Sequence, residues 1–364
     1  MKKILSTLFW VSYFYLPLSA IPKELDHPRI TNQKCLDANK NLFHFEKTIE
    51  IAEFKNAYNP SIVKRGDGYT LFFRFDETKE HLLYNYPIGA MTYIGVVDLN
   101  EHFDLASSPY LLDLKSPYCE DPRVITVGGK NYLFFNDLES LSQKNRVMKM
   151  AVLDPNDHKI DRIFFLPGAK KKTEKNWTPV VKNEMSSGEL FYIYSYDDLS
   201  FVKMDLNGYS IHSEPVSQIQ TGSKYPVKWL KKYGFLRGGA PIFEIDGEYW
   251  AFFHSTFKTK TPISETYDRK DVFYVMGAMT LKMGTTNQIL KISEYPLLYE
   301  TAFESKKVRC HDKWIIYPAG CCYDDNSKEF ILSIGENDGC MKLLKVKIEK
   351  LRQTLVEVES CGQF

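Results

Sequence analysis

The stretch CEDPRVITVGGKNYLFFN, residues 119–136, contains the pattern that decides the fold. A proline lies just inside a first apolar run, the pair Gly128-Gly129 follows, and a second run rich in aromatic residues ends at Asn136. Two such runs around a glycine turn predict a β-hairpin. Proline has no N–H to donate, so it belongs at the first residue of a strand or on a free strand edge.

The same pattern occurs five times along the chain. The prolines of successive copies lie 62, 57, 62 and 77 residues apart, and an apolar run that reads as a third strand follows the copies. One small antiparallel sheet per copy, repeated around a ring, predicts an all-β fold, a five-bladed β-propeller. The third strands are predicted at residues 93–99, 148–153, 201–206, 274–281 and 341–348.

The two ends of the chain differ from the repeats. Residues 1–20 combine a lysine pair, an apolar run and a small-residue exit, which is typical of a secretory signal peptide. A membrane-spanning helix needs about 20 apolar residues, so an uncleaved anchor is the less favoured alternative. We expect a secreted or periplasmic protein without stable membrane insertion after signal cleavage. Residues 21–54 are expected to pack on the propeller or supply its outer closing strand, 55–348 to form the propeller, and 349–364 to form a C-terminal tail.

The composition excludes some classes of partner. The chain has 47 Lys+Arg and 46 Asp+Glu, so no summed charge would hold a polyanion, and nucleic acid is not expected as a partner. The seven cysteines form no CxxC pair, which argues against a zinc site or a thioredoxin-like motif. We expect no metal and no cofactor. An exported chain would enter an oxidising compartment, where disulfides could form among the C-terminal cysteines.

A propeller would bring polar residues of different repeats to one point. If the prolines mark inner strands, the residues beside them line the central channel. Carboxylates and arginines are costly to place there unless they are paired or used; the alternative is a solvated turn. Trp177 suits either a sugar ring or the core, and His254 either the site or a structural role. The candidates are Asn59, Arg74, Asp76, Glu120, Asp121, Arg123, Lys175, Asn176, Trp177, Arg237, His254, Tyr317, Glu336 and Asp338.

These residue types suit the cleavage of a glycosidic bond. A glycosidase needs a carboxylic acid to protonate the leaving oxygen, and an inverting one needs a nucleophile on the opposite face of the sugar. Phosphate as that nucleophile would require cations instead of a second carboxylate. The residues that could supply them are Arg123, Arg146, Lys175, Arg237 and His254.

The motifs resemble those of glycoside hydrolase family 130, the β-mannoside phosphorylases and β-1,2-mannosidases, together with related mannosyltransferases on a five-bladed propeller. The Glu-Asp-Pro-Arg element at 120–123 is the most specific of them. The other matching segments run in the family's order from about residue 55 to 348: Asn59-Pro60 with Arg74, KNWTP at 175–179, GAPI at 239–242 with His254, YVMGAM at 274–279, PLLYE at 296–300, YPAG at 317–320 and GEND at 335–338.

The resemblance implies a role for several of these residues. Asp121 is the implied general acid, acting through a hydroxyl of the sugar. Asn59, Arg74 and Asp338 are implied to hold the sugar, and Lys175 and His254 to face the phosphate or its replacement. Tyr274 and Glu300, which lie in two of the matching segments, join the substrate-binding candidates.

The sequence therefore predicts an exported glycoside-active enzyme, an inverting hydrolase or phosphorylase, that acts on β-linked mannosides or related glycans at the propeller axis. Its partners would be a carbohydrate and, in a phosphorylase, inorganic phosphate. A hydrolase would also need a base, for which Glu300, Glu336 and Asp338 are candidates. Two alternatives stay open: a glycosyltransferase that uses a sugar phosphate or nucleotide sugar, and a non-catalytic glycan-binding propeller.

Overall fold

A computed structural model describes most of the chain between residues 29 and 358. The described ranges are 29–30, 32–77, 91–140, 145–166, 171–181, 189–196, 199–205, 226–283, 287–305 and 312–358. The predicted signal peptide, Cys310 and Cys361 lie outside them. The five cysteines within the described ranges are free thiols. No helix in these ranges is both long and apolar enough to cross a membrane.

Strands dominate the described chain, so the fold is all-β. Four short helices accompany them: α1 Gln33–Asn39, α2 Val227–Tyr233, α3 Pro262–Thr266 and α4 Ile348–Gln353. The strands are β1 Phe45–Ile49, β2 Tyr58–Arg65, β3 Gly68–Asp76, β4 Thr92–Leu99, β5 Tyr110–Leu111, β6 Glu120–Val127, β7 Lys130–Ser140, β8 Asn145–Leu153, β9 Ile160–Phe165, β10 Thr178–Val181, β11 Glu189–Ser195, β12 Ser200–Asp205, β13 Arg237–Gly238, β14 Ile242–Ile245, β15 Glu248–Thr259, β16 Asp271–Lys282, β17 Gln288–Ser293, β18 Lys313–Asp324, β19 Glu329–Glu336, β20 Cys340–Lys347 and β21 Leu355–Glu357.

All five predicted hairpins are present. Their antiparallel pairs are β2–β3, β6–β7, β10–β11, β14–β15 and β18–β19. The predicted third strands are present as well, because β4, β8, β12, β16 and β20 each pair with the second strand of their own repeat. The turn of the third hairpin, residues 182–188, lies outside the described residues.

Further strands connect the ends of the chain to the repeats. β5, β9 and β17 add a fourth strand to the first, second and fourth repeats. β1 pairs with β20 of the fifth repeat, so the N-terminal segment supplies an outer strand to the last sheet. The C-terminal segment is more ordered than a simple tail, since α4 follows β20 and β21 pairs with β17.

The repeats pack against one another in sequence order, and the fifth packs against the first. Apolar clusters join the first repeat to the second, the second to the third and the fifth to the first, and a larger cluster spans the third to the fifth. By hydrogen bonding, the first two repeats are separate four-stranded sheets, whereas parallel pairs β10–β14 and β16–β18 join the other three. No single sheet closes on itself among the described strands, so five separate blades stay a prediction.

Candidate active site

Equivalent bulges at the start of the first two repeats aim two polar side chains at each other. The β2–β3 register shifts between Tyr58 and Ser61, and the β6–β7 register shifts between Glu120 and Arg123. Within these bulges Asn59 and Asp121 have φ of 49° and 54°, a left-handed conformation that is rare outside glycine. Such bulges redirect side chains, and strained residues cluster at functional sites. Asn59 Nδ2 donates to Asp121 Oδ1 over 2.9 Å.

Arg74, at the end of β3, binds three buried carboxylates at once. Its Nε donates to Asp76 Oδ1 over 3.1 Å, one terminal nitrogen lies 2.9 Å from Glu120 Oε1, and the other donates to Asp121 Oδ1 over 3.1 Å. The guanidinium also stacks over the Tyr58 ring at 5.0 Å. The structure therefore brings Arg74, Asp76, Glu120 and Asp121 together, as the sequence predicted.

The Asp121 carboxyl has a lowered pKa. Burial alone would raise its pKa, but the charge of Arg74, followed by Lys175, the Asn59 hydrogen bond and Arg123, holds the pKa well below its usual range. Among the described residues, the hydrogen bonds to this carboxylate end on Oδ1. Oδ2 is thus left to accept a bond from a ligand hydroxyl.

Two further cations pair with Glu120. Arg146 of β8 bonds to its Oε1, and Lys175 Nζ lies 3.1 Å from its Oε2. Arg146 also donates to Asn136 Oδ1 over 2.8 Å, which fixes the guanidinium beside the second repeat. The Lys175 side chain is 37% exposed. It is therefore accessible to a ligand, as its predicted role requires.

Arg123 is buried and bonds to neutral groups of three other repeats. Its Nε donates to the Gly239 carbonyl over 2.7 Å, and one terminal nitrogen contacts Asn176 Oδ1, the Gly238 carbonyl and the Tyr317 hydroxyl. Glycine is required at 238 because a Cβ there would lie 1.8 Å from the Asn176 carbonyl oxygen. Residues 176, 238–239 and 317 thus converge on one guanidinium.

His254 lies beside this group but is uncharged at neutral pH. Burial, reinforced by the nearby charges of Arg237 and Arg123, lowers its pKa to about 3. Its ring stacks on Tyr274 and meets Tyr317 edge-on, with centroids 6.0 and 4.9 Å apart. Its Nδ1 is buried and has no hydrogen-bond partner in the described structure. His254 can therefore donate or accept a hydrogen bond, but it adds no positive charge.

The cluster as a whole has more positive than negative groups. Arg74, Arg123, Arg146 and Lys175 face Asp76, Glu120 and Asp121, which leaves an excess of one positive charge. Arg237 is exposed and close enough to lower the pKa of His254, and it adds a second excess positive charge. The described residues contain no group of three or more His, Cys, Asp or Glu side chains placed for a metal. The site is suited to a polar ligand that carries negative charge.

Three predicted site residues are placed elsewhere. Trp177 is fully buried: it stacks on Tyr192 at 5.1 Å and donates to Glu174, so it belongs to the core and offers no face to a sugar. Glu300 is exposed and makes no described hydrogen bond to the cluster. Glu336 is bound by Tyr299, the Ser305 N–H and Lys342, which removes its carboxylate from the cluster. The remaining carboxylate candidate, Asp338, lies in the turn between β19 and β20, with φ of 53°.

Sequence reasoning overlooked Tyr58. Its hydroxyl donates to Asp76 Oδ2 over 3.1 Å, and its ring supports Arg74. Tyr58 stands in β2 where Glu120 stands in β6, since each directly precedes the left-handed residue of its bulge. Alignment of the two repeats could have found it, but an aromatic residue at the start of a strand is by itself uninformative.

Comparison with known proteins supports the fold. No protein-family model and no curated protein matches the chain. Among solved structures, β-1,2-mannobiose phosphorylase from Listeria innocua, in complex with β-1,2-mannobiose, has a TM-score of 0.55 at 14% identity, over 85% of this chain and 93% of that one. A GDP-Man-dependent mannosyltransferase from Leishmania mexicana has a TM-score of 0.57 at 12% identity, over 87% and 94%.

A third similar structure comes from work on the GH130 family of mannoside phosphorylases, which contains glycoside hydrolases that target β-1,2-mannosidic linkages in Candida mannan. Its TM-score is 0.53 at 10% identity, over 85% of this chain and 87% of that one. The predicted resemblance is thus confirmed at the level of a distant structural relation. At such identities, what the chain shares with these proteins is their fold.

Proposed function

We propose that this chain is an exported enzyme that acts on β-linked mannosides or a related glycan at the axis of a five-bladed β-propeller. One observation carries the proposal: a buried carboxylate, Asp121, is held in a left-handed bulge by Arg74 and Asn59 beside an excess of cations. Ionised pairs with strained backbone are costly to bury and are typical of active sites.

The propeller assignment is supported by the order of packing. Each repeat packs against the next, and the fifth packs against the first, where Ser333 Oγ donates to the Pro60 carbonyl over 2.6 Å. The pairing of β1 with the last repeat is the closure expected when the N-terminal strand completes the final blade. The proposed domains are a signal at 1–20, an N-terminal segment at 21–54 whose β1 joins the last repeat, the propeller repeats at 55–348 and a C-terminal segment at 349–364.

Asp121 would transfer the proton to the leaving oxygen. Because Arg74 holds its pKa low, the carboxyl must first take up a proton from solvent as the substrate binds. The bound sugar excludes water, and this desolvation favours the protonated form. Asn59 and Arg74 orient the carboxyl, Oδ2 gives its proton to a sugar hydroxyl, and that hydroxyl passes its own proton to the leaving oxygen.

The nucleophile would bind on the cationic side of the cluster. Asp76 and Glu120 are both paired with Arg74, and Glu336 is enclosed elsewhere, so the described cluster offers no unpaired carboxylate to activate water. The exposed cations Lys175 and Arg237 suit an anion instead, and the charges of Arg123 and Arg146 add to the attraction. Inorganic phosphate is the simplest candidate; a hydrolase would need a base, for which Glu300 and Asp338 stay candidates.

A glycosyltransferase is the second candidate, because the same excess of cations suits the diphosphate of a nucleotide sugar. The likeness to a GDP-Man-dependent mannosyltransferase adds to that reading. The two candidates differ in what they consume.

The test is to incubate the purified chain with β-mannosides, including β-1,2-mannobiose, with and without phosphate, and separately with GDP-mannose and a mannose acceptor. Free mannose without phosphate would identify a hydrolase, mannose 1-phosphate a phosphorylase, and an elongated product a transferase. Binding of glycans without turnover under all these conditions would overturn the proposal in favour of a glycan-binding propeller.

The low pKa of His254 gives a pH prediction for the anion site. Since that pKa is about 3, the imidazole stays neutral from pH 8 to pH 5, and the sulfate dissociation constant should change by less than about twofold. Sulfate keeps its charge over this range, so titration calorimetry reports the protein alone. Lys175→Gln is the positive control and should weaken binding. Affinity that rises steeply towards pH 5 in the wild type but not in His254→Gln would contradict the prediction.

A further inference from the structure

The segment between α2 and β13 carries an exposed aromatic side chain two residues before Arg237. Phe235 is 66% exposed, whereas its neighbour Leu236 is buried in the core. Gly234 holds the segment against β15, because a Cβ there would lie 2.2 Å from the Thr256 carbonyl oxygen. Trp229 and Tyr233 of α2 pack against Phe253 and Phe257. The backbone that carries Phe235 is thus fixed on both sides.

Strand register shows which way this side chain points. Arg237 pairs with His254 and Gly238 with Phe253, so the extended chain before them continues alongside β15. Side chains alternate between faces along a strand, and directly opposed residues share a face. Phe235 therefore lies on the face of Arg237 and His254, while Leu236 lies on the opposite, buried face.

The same face continues onto β16. Thr256 pairs with Tyr274, whose ring stacks on His254. Strands β15 and β16 extend five residues beyond His254, and α3 follows at the tip of this hairpin. Arg237 pairs directly with the start of this extension, and Phe235 precedes it by two residues along the same edge. At about 3.3 Å per residue, Phe235 stands roughly 7 Å beyond Arg237.

We propose that Phe235 and Arg237 form an outer subsite that binds a second sugar residue, beyond the one that contacts Asp121. The inference rests on the proposed function. It goes further in specifying that the substrate extends to a second sugar residue. The Phe235 ring offers an apolar face to the C–H face of the sugar, and Arg237 offers donors to its hydroxyls. An exposed aromatic on a backbone segment that is held on both sides binds such a ring at little cost in conformational entropy.

The experiment measures binding of mannose and of β-1,2-linked manno-oligosaccharides of two to five units to the Asp121→Asn protein, with and without Phe235→Ala. The dissociation constants of the oligosaccharides should rise roughly threefold to tenfold with Phe235→Ala, and that of mannose much less. Phe235→Trp should restore the affinity. Phe165→Ala is the matched control, because Phe165 is 59% exposed but lies on the outer strand β9.

Two results separate the inference from the function on which it rests. If Phe235→Ala changes no dissociation constant while the oligosaccharides still bind, the outer subsite is wrong and the proposed function stands. If no oligosaccharide binds to any of these proteins, and the wild type shows no turnover, the proposed function falls together with the subsite.

Discussion

Replacement of Asp121 by asparagine is expected to lower kcat/KM for a β-mannoside by about a thousandfold, the usual contribution of a general acid. Asparagine keeps the shape of the side chain and can still accept the bond from Asn59, but it cannot carry a proton. Because the loss lies in the chemical step, kcat should fall while KM changes little. Steady-state kinetics on the substrate identified from the panel measure both.

The control for this variant is Asp137→Asn. Asp137 is a buried carboxylate of the same repeat, but it is bound by Ser116 and Lys149 and does not contact Arg74. Asp137→Asn should therefore keep most of the activity of the folded protein, and thermal melting should show both variants folded. A loss below about tenfold in Asp121→Asn would show that Asp121 is not the acid.

The repeat could be predicted because its signals are local. Each hairpin combines a proline, a turn and an aromatic run within about 20 residues, and alternation of side chains at period two is visible in one sequence. The same locality explains why Asn59 and Asp121 were found. They occupy equivalent places before the prolines of two repeats, where the bulges later proved to lie.

Trp177 and Glu336 show where sequence reasoning fails. Both lie beside site residues in the chain, yet a shift of one residue along a strand moves a side chain to the opposite face. Asn176 has φ of 65°, and its side chain accepts from Arg123, whereas the next residue turns into the core. The face of the strand on which a side chain lies depends on the local backbone conformation. It also depends on partners that come from distant strands, such as Lys342.

The sequence predicts which cationic residues the site contains, but not how they are arranged in space. Arg123, Arg146 and Lys175 were candidates because phosphate needs cations, but their arrangement depends on contacts between separate repeats. Lys175 of the third repeat reaches Glu120 of the second, 55 residues away. No periodicity encodes such a contact. This is also why the chain could not be assigned to hydrolysis, phosphorolysis or transfer from its sequence.

Replacement of Arg123 by lysine is expected to lower the free energy of unfolding by about 3 kcal/mol or more. The guanidinium of the second repeat donates to the Gly238 and Gly239 carbonyls, Asn176 and Tyr317, which belong to three other repeats. Lysine has a single nitrogen and cannot reach all of them, and each buried acceptor left unsatisfied costs about 1–3 kcal/mol. Urea unfolding followed by circular dichroism measures the loss.

The comparison variant is Arg352→Lys. Arg352 is 42% exposed and pairs with Glu248 on the surface, so its replacement should change stability by less than about 0.5 kcal/mol. If Arg123→Lys were equally mild, the buried guanidinium would not be what joins the second repeat to the third, fourth and fifth. The expected loss of unfolding free energy in Arg123→Lys would mean that the residues of the site also stabilise the fold, because the residues that bind Arg123 lie beside Asp121 and His254. A substitution there should therefore lower activity and unfolding free energy together.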